Sequence, residues 1–213
     1  EKGADDDRGV TAEGAPLAVS VLSLGSVAPV LGAVTVGALA AGSGGSSDKG
    51  PNVVTTVTPV SGQVVAGPVV SGHNLSVKIY ASDGKTLLAT SAVKVGTGQY
   101  EADVGDYKGV IIAVLVDAGA ENDYRDEATG QPKDLNATLM AVGVAVAGQP
   151  LLLNITALTT LAAQKAGVKA DGSVDATTTI TTTAVDSSNA AVSKAFGLTD
   201  ILRGVIVATV TTE

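Results

Sequence analysis

Residues 74–95 read NLSVKIYASDGKTLLATSAVKV. Leu75, Val77, Ile79 and Ala81 alternate with Ser76, Lys78 and Tyr80, the period-two pattern of a strand with one buried face. Ser82, Asp83 and Gly84 then supply turn-forming residues, and the stretch from Lys85 onward is the expected partner strand of a hairpin. Reading outward, GQYEADVGD (98–106) puts Tyr100, Ala102 and Val104 on one face and Gln99, Glu101 and Asp103 toward water. GVIIAVLVDAG (109–119) has no alternation at all, as expected of a central strand covered on both faces. LNATLMAVGVAVAGQP (135–150) and LLLNIT (151–156) supply further strands. Short strands separated by Gly, Asp and Pro turns predict a mainly β chain folded as an antiparallel sandwich.

Composition agrees. Of 213 residues, 45 % are hydrophobic and only 2 % aromatic, so the core must be built from Val, Ala, Leu and Ile. Branched Cβ atoms favour the pleated strand. The absence of cysteine rules out disulfide and thiolate chemistry. A net charge of −8 argues against nucleic acid as a partner, because phosphate binding depends on Lys and Arg.

Four segments are expected. Residues 1–14 form an acidic, polar N-terminus. Residues 15–50 form an uncharged Gly/Ala/Val-rich segment closing in a linker, GSGGSSDKGPN, which lacks the spacing of a phosphate-binding loop. Residues 51–153 form the sandwich. Residues 154–213 form a helical extension that ends in a strand, GVIVATVTTE. In the extension, TALTTLAAQKAG (156–167) reads as a helix with a Thr cap and Gly167 as its stop. SSNAAVSKAFGL (187–198) repeats that logic, with Ser187 or Ser188 as cap, Val192 and Phe196 stacked, and Gly197 as the stop. The Thr-rich run DATTTITTTAV (175–185) favours a strand, with a helix start as the alternative.

The stretch SGQVVAGPVVSGHNLSVKIYASDGKTLLATSAVKVGTGQYEADV (61–104) resembles the carboxypeptidase-regulatory-like or Ig-like β-sandwich modules of bacterial surface proteins, with Gly98, Gln99 and Tyr100 matching their Gly-x-Tyr corner. LLLNITALTTLAAQKAG followed by SSNAAVSKAFGLTDI is similar to the helical extension that follows such modules in large secreted adhesins. The resemblance implies an extracellular or cell-surface location. It supplies no catalytic residues, and an enzyme is not expected.

The uncharged segment admits three readings. It is long enough for a membrane span over 16–42, but Gly, Ser, Pro and Thr interrupt it and no basic cluster flanks it, which makes this the weakest. Leu17, Val19 and Val21, and later Val34 and Val36, alternate with small or polar residues as strands do. Such a segment either folds back onto its own sandwich or adds to the sheet of another copy, and addition of that kind builds a filament. On the second view these five residues form an assembly strand, and Val110, Ile112 and Val114 are among the core positions that receive it.

The densest polar cluster is DAGAENDYRDEATGQPKD (117–134). Ca²⁺ takes several oxygen ligands from loop carboxylates, and Asp117, Glu121, Asp123, Asp126 and Glu127 are the expected set, although their spacing is not that of an EF-hand. On this reading the chain is a calcium-binding adhesin module; the plainer reading is a solvated loop and no cofactor. The one histidine, His73, reads as a turn residue. Asn74, Asn136 and Asn154 each begin an Asn-x-Ser/Thr sequon.

Overall fold

The computed structural model describes residues 56–204. Leu17, Val19, Val21, Val34, Val36 and the expected final strand therefore lie outside the described residues. The fold is mainly β, with antiparallel pairing dominant and two short helices.

The hairpin forms as its alternation requires. β2 (Leu75–Ala81) pairs antiparallel with β3 (Leu87–Ala92), and its odd-numbered side chains are all buried. Asp83 closes the turn by accepting from the N–H groups of Lys85 and Thr86, while Thr86 Oγ1 donates to its second oxygen. β5 (Gly109–Asp117) lies on the other side of β2, and β8 (Met140–Ala145) follows β5, giving a four-stranded sheet in the order β3-β2-β5-β8.

A three-stranded sheet covers one face of it. β1 (Pro59–Gln63) sits between β4 (Gln99–Asp103) and β9 (Leu151–Leu152). Here the all-antiparallel expectation is corrected: β9 runs parallel to β1, because the chain crosses back between the sheets after β8. Val77, Ile79, Ile111, Ala113 and Ala141 meet Val60, Tyr100, Leu153 and Ile155 between the two sheets. Each aliphatic side chain buried there contributes about 1.5–3 kcal/mol. Tyr100, at the Gly-x-Tyr corner, is buried to 2 % exposure and donates its hydroxyl to the carbonyl of Leu153, fastening β4 to the end of β9. The glycine opposite it in β1, Gly62, is required by space: a Cβ there would fall 2.2 Å from the Leu153 oxygen.

The opposite face of the four-stranded sheet explains why β5 is apolar on both sides. α1 (Ala157–Ala166) and α2 (Thr182–Ala195) lie over it, burying Val110, Ile112, Val114, Met140 and Val142 against Ala163, Ala166, Ile180 and Val185. Val110, Ile112 and Val114 are thus core residues as expected, but the chain's own helices fill the space above them. No added strand is needed to cover that face.

α1 forms as its sequence predicts. Thr156 Oγ1 accepts from the Thr159 N–H, the Thr159 hydroxyl accepts from the Thr156 N–H, and Gly167 stops the helix at φ 113°. α2 differs from expectation. It begins at Thr182, with Thr181 Oγ1 accepting from the Ala184 N–H, so neither Ser187 nor Ser188 is its cap. The last threonines of the run thus start a helix and make no strand, because a Thr hydroxyl caps a helix as readily as its branched Cβ suits a sheet. Val192 is buried against α1, whereas Phe196 is 56 % exposed, since the helix ends there before Gly197 at φ 67°. No described helix is long and apolar enough to cross a membrane.

Candidate functional site

The four-stranded sheet has two edges, and they are finished differently. Leu115 N–H donates to the Leu139 carbonyl, so residues 139, 141, 143 and 145 bond to β5, and the backbone groups of Met140 and Val142 point outward. α1 and α2 meet them. Thr160 Oγ1 accepts from the Met140 N–H at 2.9 Å, Thr159 Oγ1 lies 3.0 Å from the Met140 oxygen, and Asn189 Nδ2 donates to the Val142 oxygen at 3.1 Å. Helix side chains thus cap the Met140 N–H and the Met140 and Val142 carbonyls on the β8 edge, as a neighbouring strand would.

Among the described residues, β3 has no helix beside it. Its inner side bonds to β2, with the N–H of Val93 on Leu75 and that of Ala81 on Thr86 flanking the ladder. The alternation leaves the backbone groups of Thr90 and Ala92 facing away from β2. Both residues are exposed, and so is Leu87 at 52 %. The strand LLATSA carries neither charge nor proline, the two devices that most often protect an edge. Ser91 Oγ, accepting from the Glu101 N–H, links it to β4.

A second feature lies at the far end of β5. β6 (Tyr124–Arg125) and β7 (Pro132–Lys133) form a small hairpin. Its turn is closed by Asp126, which accepts from the Thr129 N–H, and by the ion pair of Asp126 with Lys133. With Tyr124 opposite Lys133, the residues at the base of the hairpin are Asp123 and Asp134. Carboxylate oxygens of Asp117, Asp123 and Asp134 lie within 4.8 Å of one another. Asp123 is fully buried; its Oδ2 accepts from the Leu135 N–H, while its Oδ1, and Oδ1 of Asp134, are buried without a partner. Burial first, and then the charges of Asp117 and Asp134, push the Asp123 carboxyl above the usual carboxylate range. A cavity of about 400 Å³ opens beside the cluster, lined by Asp117, Leu135, Asn136, Thr138 and Asp171.

Of the five expected ligands, only Asp117 and Asp123 converge. Glu121 is exposed and accepts from Asn74 Nδ2 at 2.7 Å. Asp126 is committed to its own turn, where Lys133 and Thr129 pull its carboxyl down to about 2. Glu127 is exposed on the same loop. Asp134 replaces them in the cluster. The sequence signal for it is symmetry: Asp123 and Asp134 flank two short strand-like pairs around the DEATGQ turn.

His73 lies in the loop before β2 and accepts from the Leu75 N–H, as a turn residue does. Asn154 is 2 % exposed and binds the Gln63 N–H, so only Asn74 and Asn136 of the three sequons are accessible. Comparisons with protein-family models, with curated proteins and with solved structures found no match for this chain.

Proposed function

We propose that the chain is a non-enzymatic structural module of an exported bacterial assembly. Its two sheets act as an Ig-like β-sandwich, and copies join head to tail into extracellular filaments. The segment carrying Leu17, Val19, Val21, Val34 and Val36 adds to the β3 edge of a neighbouring copy. The observation that supports this reading is the contrast between the two edges: β8 is sealed by helix side chains, while β3 presents an uncharged, proline-free strand with outward backbone groups. An added strand gains main-chain hydrogen bonds there. Its alternate apolar side chains extend the inter-sheet core past Leu88 and Ala102, which are partly buried at its margin.

Negative-stain electron microscopy of the full chain tests the proposal. The parent is expected to form regular filaments, and Val19→Asp, Val34→Asp and Leu88→Lys are each expected to stay monomeric with unchanged circular dichroism. Filaments that persist in all three variants, or a parent that is monomeric at every concentration, would overturn it.

A further inference from the structure

Like charges opposite each other at the base of a β-ladder repel, and a buried carboxylate oxygen without a partner carries its full desolvation cost. The structure nevertheless brings Asp123 and Asp134 together at the root of the β6–β7 hairpin and adds Asp117 from the end of β5. Two of the oxygens involved are buried without a donor, and one belongs to a residue with no exposure at all. The hairpin turn is already held by Asp126, Thr129 and Lys133, and the Leu135 N–H occupies only Oδ2 of Asp123, leaving its Oδ1 free to meet a cation.

We propose that Asp117, Asp123 and Asp134 hold a divalent cation, Ca²⁺, which pins the β6–β7 hairpin to the end of β5. Oxygens within 4.8 Å of one another fit inside the span of two Ca–O bonds of about 2.4 Å each, and an all-oxygen set suits a hard cation. Ca²⁺ also takes six to eight oxygens, more than three aspartates supply. The adjoining cavity, which Asp117 itself lines, admits the waters that complete the shell. Asp117 contributes through the oxygen that is not engaged by the Gly119 N–H. This inference is independent of strand exchange at β3.

The test is calorimetric titration of Ca²⁺ into the full chain after chelation, with melting followed by circular dichroism. One ion per chain and a rise in Tm of roughly 5 °C or more at saturation are expected. Asp123→Asn and Asp134→Asn should weaken binding by about tenfold or more while melting in chelator no lower than the parent, because each relieves repulsion. Asp126→Asn should keep the Ca²⁺ response. A parent without binding heat or Tm shift at millimolar Ca²⁺ would overturn the site, as would an Asp123→Asn variant that keeps the full shift. An equal response to Mg²⁺ would overturn the assignment to calcium.

Discussion

β3 and β8 bound the same sheet with six residues each, and LLATSA and MAVGVA are alike in carrying no charge. What separates them lies elsewhere in the chain. The helices that follow β9 bring Thr159, Thr160 and Asn189 to the outward groups of Met140 and Val142. The segment after β3 bends away into the other sheet, and no described side chain caps the outward groups of Thr90. An edge strand is therefore made safe or adhesive by its neighbours in space, and its own sequence does not say which.

That contrast can be broken from either side. The largest effect is expected from Ile112→Ala, which removes a fully buried side chain beneath the helices. It should cost about 2–5 kcal/mol in urea denaturation and speed amide exchange along β8. Thr160→Val keeps the shape of the seal but strands the Met140 N–H, at about 1–3 kcal/mol. Asn189→Ala, which frees only the Val142 carbonyl of a half-buried pair, should cost about 1 kcal/mol. Both seal variants should also begin to self-associate, which sedimentation would detect.

On the other edge, Thr90→Pro is expected to be nearly silent in stability, within about 0.5 kcal/mol, because its outward N–H meets no acceptor among the described residues. It should nonetheless abolish filaments, and a large loss of stability would show that the edge is paired internally after all. Acid gives the smallest effect. Lys85, Thr86 and above all the Thr86 hydroxyl hold the Asp83 carboxyl down at about 2. The stability it lends the β2–β3 turn is present above the ordinary carboxylate value near 4 and is lost as pH falls toward 2. The seals on β8 do not titrate, so hydrogen exchange between pH 4 and 2 should loosen β3 before β8.

The same dependence on neighbours sets what the sequence could reveal. The alternation of β2, the unbroken apolar run of β5 and the capping of α1 are local patterns, and each formed as read. The two-faced character of β5 announced a second cover but not that helices would provide it. α2 was misplaced by half its length because threonine serves both strand and cap. At the acidic end, Asp126 and Glu121 looked equivalent to Asp123 in composition. The difference is made by partners, Lys133 for one and Asn74 for the other, which only the hairpin register brings into reach.

Tyr100 gives the molecule a clock of its own. The chain contains no tryptophan, so near-ultraviolet absorbance belongs to its four tyrosines. Burial pushes the Tyr100 phenol above its ordinary value, and its proton is committed to the Leu153 carbonyl across β1, in the core where the three-stranded sheet meets the other. After a jump to alkaline pH, the slow part of tyrosinate formation therefore times the parting of the two sheets, without any label added to the protein.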